Sequence, residues 1–256
     1  MELWQAIVLG IVEGITEFLP ISSTGHLILA SHIMGIPQNE FVKTFQIFIQ
    51  FGAILAVIVL YFKKLVKNIE IWKRIIIAFI PTGILGLIFY KFIKNYLIGN
   101  DVVVVFALIT GGIILIIADR YSGKFFRYSE IEKMGFWEVF IIGVFQSLAM
   151  VPGVSRSGAT IIGGMFMGFD RKTAAEFSFL LAIPTMLTAS SFDLVKSYHS
   201  FGLQDFHILM VGFVVSFITA LLTVKALVNF LSKNSFLGFG IYRIILASIY
   251  AKYFIF

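Results

Sequence analysis

No cysteine occurs in the chain, which excludes disulfides, thiolate catalysis and Cys-ligated metal or cluster sites. Charge is also scarce: 13% of the 256 residues are charged while 59% are hydrophobic, and the mean hydropathy is +0.97. Soluble domains carry about 25% charge at about 45–50% apolar content, so this composition excludes a soluble globular enzyme. It excludes disorder as well, which requires low hydrophobicity and high charge. The short alternating segments of a transmembrane barrel are missing too. No Gly-rich nucleotide loop, metal-ligating histidine pair or basic-aromatic nucleic-acid motif is found, so the net charge of +6 does not point to nucleic acid. The N-terminus has no basic n-region and carries Glu13 inside its apolar stretch, and is expected not to be a cleavable signal peptide.

What is present is long apolar runs. At ~20 residues per span, a helical membrane protein of roughly six to eight spans is expected. Six runs are clean, at about 44–62, 75–90, 102–118, 177–195, 207–224 and 236–256. Two further regions, 3–34 and 136–168, are too long for one span and broken in the middle. The first breaks at Phe18-Leu19-Pro20-Ile21-Ser22-Ser23-Thr24-Gly25-His26, the second at Val151-Pro152-Gly153-Val154-Ser155-Arg156-Ser157-Gly158. Proline, glycine and hydroxyl residues end one helix and cap the next.

An offset of 133 superimposes the two broken regions, pairing Trp4 with Trp137, Gly10 with Gly143, Ser22 with Ser155, Gly25 with Gly158 and Ile28 with Ile161. Three clean runs follow each copy. If both broken regions enter and leave on one side, joints 63–74, 119–135, 169–176 and 225–235 hold 13 Lys/Arg against 5 on the other face. Treating the regions as ordinary spans gives 11 against 7 at best. The positive-inside rule favours the first arrangement. The expected fold is an all-α polytopic membrane protein of six full spans and two re-entrant hairpins. It forms a single membrane domain over 1–256 with two inverted repeats, 1–118 (re-entrant 3–34) and 136–256 (re-entrant 136–168), joined by a cytoplasmic segment at 119–135. Broken backbone at membrane depth is tolerated only where it lines a protein cavity, so the site is expected where the two tips meet.

Glu13 and Glu17, four apart, share a helical face. Buried carboxylates cost at least ~2.5–3.5 kcal/mol each in a bilayer, and two imply metal binding, proton transfer, or neutralisation by a proton or by Arg156. Ser22-Ser23-Thr24-Gly25-His26 reads as a turn and helix start, a setting for an anion and above all phosphate. Ser23 and His26 are close enough in sequence for a nucleophile and base. Ser155-Arg156-Ser157-Gly158 with Thr160 forms the facing tip, where the Arg156 fork suits phosphate or bridges the glutamates. Arg243 reads as a snorkelling or structural cation, His32, His199 and His207 as interfacial, and Gly111-Gly112 as helix packing.

GIVEGITEFLPISSTGH (Gly10 to His26) together with PGVSRSGAT (Pro152 to Thr160) resembles the bacterial undecaprenyl-pyrophosphate phosphatase family, the bacitracin-resistance type, over essentially the whole chain. The resemblance implies hydrolysis of undecaprenyl diphosphate to undecaprenyl phosphate and phosphate, recycling the lipid carrier of cell-wall synthesis. It further implies inverted repeats with re-entrant helices in the bacterial inner membrane, a site open to the periplasmic or outer face, and support from a divalent cation, Mg²⁺ or Ca²⁺. The family's carboxylate pair falls on Glu13 and Glu17, which would hold the metal, its serine and histidine on Ser23 and His26, and its arginine on Arg156. Ser22, Thr24, Ser155, Ser157 and Thr160 complete the expected phosphate-binding set. Ser23 is the expected nucleophile with Glu17 or His26 as base, direct attack by water being the rival route. A flippase of polyprenyl phosphate using the same anion site is the alternative from another class. A type-2 phosphatidate phosphatase is disfavoured, because that class needs a histidine shortly after its Ser-Arg element and Ser155-Arg156 is followed by SGATIIGGMFMGFD. The expected partners are the polyprenyl diphosphate and membrane lipid; a homodimer is compatible with the sequence.

The cysteine-free chain suits single-cysteine labelling. A cysteine at Lys67 or Lys124 is expected to resist a membrane-impermeant maleimide on intact cells, and one at Lys43 or Lys91 to react.

Overall fold

The structure, a computed structural model, describes residues 1–37, 39–97, 100–197 and 206–255. Among them lie ten α-helices: α1 (Leu3–Thr16), α2 (Ser23–Ile33), α3 (Glu40–Lys67), α4 (Ile69–Phe92), α5 (Asp101–Phe125), α6 (Phe136–Ser147), α7 (Arg156–Met167), α8 (Arg171–Ser197), α9 (Phe206–Leu231) and α10 (Leu237–Phe254). A single isolated bridge, Tyr128 to Phe169, is the β-structure of the described residues. Among the described residues five helices are long and apolar enough to cross a membrane: Glu40–Lys67, Ile69–Phe89, Asp101–Phe125, Arg171–Phe192 and Phe206–Leu231. The chain is a helical multi-pass membrane protein.

The sixth expected span, α10, is not among those five: Arg243, Lys252 and three tyrosines lower its hydropathy. Helices also outrun their apolar stretches. α5 continues to Phe125, so the expected joint at 119–135 is helical over its first seven residues. Asn39 and Asn100 start α3 and α5, their side chains accepting the Val42 and Val103 N–H at 3.0 and 3.3 Å.

Both expected breaks are present. α1 stops at Thr16 and α2 begins at Ser23; α6 stops at Ser147, a 3₁₀ turn follows over Leu148–Met150, and α7 begins at Arg156. Ser22 (φ 72°, ψ 93°) and Ser155 (φ 74°, ψ 118°) precede α2 and α7. They are the two non-glycine residues with positive φ among the described residues, and they are 133 positions apart. Such strain persists where the surroundings over-determine it, characteristically at functional sites. A second matched pair marks the helix crossings. At Gly10 on α1 a Cβ would lie 2.8 Å from the Gly212 carbonyl oxygen of α9, and at Gly143 on α6 it would overlap the Ala78 carbonyl oxygen of α4.

Each broken segment is tied near its ends. Arg127 and Tyr128 N–H donate to the Gly168 carbonyl at 2.8 and 2.9 Å, tying the joint that leads into 136–168 to the end of that segment. Gln5 Nε2 donates to the Met34 carbonyl at 3.3 Å, between the ends of 3–34. Three of the basic joints are tied to one another at one end. Asn68 donates to Glu132 at 2.6 Å, Lys64 pairs with Glu176 at 3.3 Å, and Arg171 pairs with Asp119 at 2.6 Å. The starts of α5 and ends of α2 and α10 meet at another end, where Tyr250 donates to Asp101 at 2.8 Å and the His32 ring lies 4.8 Å from that of Phe254.

Gly143→Ala is expected to lower stability by ~1–3 kcal/mol, the usual cost of forced overpacking. Gly123→Ala, where nothing lies within 4 Å, is expected to be neutral or stabilising by ~0.4–1 kcal/mol. Thermal unfolding in detergent reads both.

Candidate active site

The two tips converge on one carboxylate. Ser23, the first residue of α2, donates its Oγ–H to Glu17 Oε2 at 2.5 Å. Arg156, the first residue of α7, donates from Nη2 to Glu17 Oε1 at 2.9 Å. Ser23 and Arg156 are 133 apart, so equivalent positions of the two broken segments clasp the same side chain. The pair is buried, with side-chain exposures of 12% for Arg156 and 7% for Glu17, where a charge-assisted bond is stronger than at a surface.

Arg156 is oriented by four further contacts: Nη1 donates to the Ser178 carbonyl at 2.9 Å and lies 3.4 Å from the Ser178 hydroxyl, Nη2 lies 3.6 Å from Met186 Sδ, and the guanidinium stands 5.6 Å from the Phe18 ring centroid. Phe18, in the first break, packs edge-on against Phe179 of α8 at 5.5 Å. Arg156 Nε is buried with no protein partner, leaving a donor for a ligand oxygen. Glu13 is fully buried and no protein donor faces its oxygens; its charged neighbours are Glu17, whose carboxylate is near enough to share a proton with it, and Arg156. Its counterpart in the second broken segment is neutral and satisfied: Gln146 donates to Thr82 at 2.8 Å and accepts from Thr185 at 3.3 Å.

His26 is not the partner of Ser23. Its Nδ1 lies 2.7 Å from the Ser22 carbonyl and its Nε2 2.7 Å from Tyr242 Oη. A carbonyl only accepts, so Nδ1 carries the proton and Nε2 of the neutral ring accepts from the tyrosine. The i, i+3 spacing brings Ser23 and His26 to the same first turn, yet the imidazole turns toward the α2 N-cap carbonyl and away from Ser23.

The remaining expected residues divide. Thr24 is exposed on the first turn of α2, and Ser22 is buried without a side-chain cap bond. Ser155 caps α7 by accepting the Gly158 N–H at 3.1 Å and lies 3.0 Å from Ser157 Oγ. Ser157 is fully buried and donates across to the Leu19 carbonyl of the other tip at 2.7 Å. Thr160, also fully buried, lies 2.9 Å from the Arg156 carbonyl and 2.6 Å from Ser178 Oγ. As placed, the Ser157 and Thr160 hydroxyls face protein atoms and brace the second tip. That departs from their expected place on the phosphate, because both lie on the buried face of α7.

Two residues outside the motifs belong to this assembly. Tyr242 engages His26, as above. Arg243 neither snorkels nor pairs with a carboxylate; it is fully buried and donates to backbone carbonyls of both tips and of α5. An arginine inside an apolar run was the available signal, since an intramembrane charge marks function by default. Of the other histidines, His32 packs on Tyr253 and Phe254, His207 is exposed, and His199 lies outside the described residues.

Among the described residues no cluster of three or more His, Asp or Glu could hold a metal alone. The Glu13 and Glu17 oxygens nonetheless suit a hard cation in kind, and the unbonded Glu13 oxygens fit one. Such an ion would complete its shell with water and phosphate oxygens.

Residues 6–249 match the family described as Bacitracin resistance protein BacA. The undecaprenyl-diphosphatase of Aquifex aeolicus is 62% identical over 253 residues, covering 99% of both chains. That of Persephonella marina is 52% identical over 251 residues (98% of both), and that of Thermus thermophilus 47% over 255 residues (98% of this chain, 97% of the relative).

Removing one partner of a buried pair costs ~3–5 kcal/mol. Arg156→Ala, which strands two adjacent carboxylates, is expected to cost more than Glu17→Ala, after which Glu13 can take the guanidinium. The double variant is expected to be less destabilised than the sum of the two, and thermal unfolding of the four proteins reads the cycle.

Proposed function

Because the chain belongs to the Bacitracin resistance protein BacA family, we propose that it hydrolyses undecaprenyl diphosphate to undecaprenyl phosphate and inorganic phosphate, recycling a cell-wall lipid carrier and conferring resistance to bacitracin. The observation that carries this reading is the clasp on Glu17: a serine hydroxyl on one carboxylate oxygen and an arginine fork on the other.

Phosphoryl transfer spreads negative charge over the transferring oxygens and demands electrostatic support more than new bonds. Arg156 supplies it through its unpartnered Nε and through Nη2 once the diphosphate competes with Glu17 for that donor. Ser23 Oγ attacks the terminal phosphorus as its proton passes to Glu17 Oε2. The P–O–P bond breaks, and undecaprenyl phosphate leaves. Water then attacks the phosphoserine, giving a proton to Glu17, while Ser23 recovers its own and phosphate departs. The 2.5 Å contact supports Glu17 rather than His26 as the base. Ser22, Thr24, Ser155 and the N-termini of α2 and α7 face the anion with hydroxyl and N–H donors; Ser157 and Thr160 hold the second tip. A Mg²⁺ or Ca²⁺ ion held by Glu13 with Glu17 would neutralise charge on the phosphoryl oxygens.

The fold fits this reading as two inverted repeats, 1–118 and 136–256, each a re-entrant hairpin plus three spans, α10 being the sixth. The Gln5–Met34 contact between the ends of 3–34, the bonds from Arg127 and Tyr128 to Gly168, the matched Ser22 and Ser155 backbones and the basic joints tied at one end support it. With those joints in the cytoplasm, the protein lies in the bacterial inner membrane, its site opens outward, and the polyprenyl tail stays in lipid. A flippase would need the anion site but not the Ser23–Glu17 bond.

Purified protein in detergent is expected to release phosphate from undecaprenyl diphosphate with Mg²⁺ and to stop in EDTA. Losing one preorganised donor to a phosphoryl group costs about 10²–10³ in kcat, and Arg156→Ala and Glu17→Ala are expected to lose at least that. Near-wild-type turnover in Ser23→Ala would eliminate the phosphoserine and leave direct attack by water. No release under any condition, with lipid still bound, would favour the flippase.

A further inference from the structure

Arg243 lies on α10, outside both motifs, and makes no described contact with Glu17, Ser23 or Arg156. Its guanidinium nevertheless organises the place where they meet. Nη1 donates to the carbonyls of Pro20 and Val154 at 3.2 and 2.9 Å, Nη2 to those of Gly153 and Ala107 at 2.9 and 3.0 Å, and Nε to that of Leu108 at 3.3 Å. Pro20 and Gly153 are 133 residues apart, the same offset that relates Ser23 to Arg156. One side chain thus grips equivalent carbonyls in the two breaks, each three residues before the side chain that reaches Glu17.

We propose that Arg243 is a positioning residue of the phosphoanhydride hydrolysis, acting through the two tips by fixing the starts of α2 and α7 against each other and against α5. The inference rests on the hydrolase reading above. Three features favour it over a general role in stability. The fork is used in full, with all three nitrogens donating, which a lysine ammonium on its flexible stem could not reproduce across three segments. Space is reserved for it: a Cβ at Gly111 would overlap the guanidinium, and one at Gly158, in the first turn of α7, would lie 3.0 Å from Nη1. Gly111 is therefore a seat for Arg243, whereas Gly112 serves helix packing, its Cβ position lying 2.8 Å from the Gly240 carbonyl oxygen. Finally, apart from Arg243 the tips are tied directly by Ser157 to Leu19 and by Arg156 to Glu17, and a diphosphate displaces part of the latter. During turnover Arg243, together with the Ser157–Leu19 bond, keeps the tips tied while the substrate acts on the Glu17 contact.

A double-mutant cycle tests this in the full-length protein, comparing wild type, Arg243→Gln, Arg156→Ala and the double variant. Each is purified as a monodisperse species, and kcat and KM are taken per folded enzyme. A misplacement of ~1 Å costs about 100-fold, and Arg243→Gln is expected to lose about that in kcat/KM. In the Arg156→Ala background, where the alignment of Arg156 no longer matters, it is expected to lose less than about 3-fold, because coupled sites are non-additive. Equal losses in both backgrounds, or wild-type rates in Arg243→Gln, would overturn the proposal. If Arg243→Gln is not recovered folded, Gly111→Ala, which keeps the charge and displaces the fork, takes its place in the same cycle, and wild-type rates there overturn it equally.

Inorganic pyrophosphate supplies a readout independent of turnover. It is expected to raise the Tm of wild type and not that of Arg243→Gln or Gly111→Ala. Absence of phosphate release by wild type would sink the hydrolase reading alone, with the pyrophosphate shift still deciding the role of Arg243. An equal shift in wild type and variant, or none in wild type, would sink the positioning role as well.

Discussion

A helix broken inside a membrane protein leaves carbonyl oxygens that neither water nor lipid can satisfy, and the arrangement of this protein follows from how two such breaks share one donor. Arg243 takes five carbonyls, from Pro20, Gly153 and Val154 in the breaks and from Ala107 and Leu108 on α5. A buried guanidinium is costly to desolvate, and unsatisfied carbonyls are costly too; joined, each removes the other's penalty. The same bonds force the breaks together, because their geometry can be met only when both tips and α5 surround the fork. Polar satisfaction and convergence of the tips are here one constraint.

Once the tips are held, the chemistry comes from differences between related positions. The offset that equates Pro20 with Gly153 also equates Glu13 with Gln146, Glu17 with Met150, Ser23 with Arg156 and His26 with Ala159. The first segment carries the carboxylates, the hydroxyl and the imidazole, and the second carries the cation. A symmetric pair of acidic tips would repel each other, and a symmetric pair of cationic tips would have no base. Placing the carboxylates on one segment and the cation on the other, each opposite a neutral residue at the equivalent position, makes a site between the tips that neither segment could form alone.

Much of this was legible in the sequence because it depends on local chemistry. Pro20 and Gly153 disfavour a continuing helix and stand next to hydroxyls that start the next one, unlike Pro81 and Pro184, which lie inside α4 and α8, and Glu13 and Glu17 share a face by helical periodicity. The contacts of Tyr242 and Arg243 were not legible, although the intramembrane charge of Arg243 was a signal, because their partners lie 89 to 223 residues away and are mostly backbone carbonyls, which carry no sequence signature. The same blindness left His26 beside Glu17 as a candidate base for Ser23: spacing gives proximity but not direction, and the imidazole's direction is set by the Ser22 carbonyl on one side and by α10 on the other. The charge of Arg243 also lowered the hydropathy of α10, so the feature that makes the helix important is one that makes it look least like a span.

Unmet hydrogen-bonding capacity separates the working part of the site from its supports. Five buried side-chain atoms among the described residues have no partner, and three of them, the two Glu13 oxygens and Arg156 Nε, belong to residues at the tips. The other two are the neutral hydroxyls of Thr44 and Ser216, while polar groups such as Gln146 are matched by Thr82 and Thr185, and Ser190 by Gln50. Leaving a buried donor or acceptor unmade costs ~1–3 kcal/mol, more when it is charged. An unbonded carboxylate and an unbonded guanidinium N–H beside one ion pair fit a ligand that brings both signs: phosphate oxygens for the arginine, and a proton or hard cation for the glutamate. The residues of α7 that are fully satisfied, Ser157 and Thr160, belong by the same criterion to the frame.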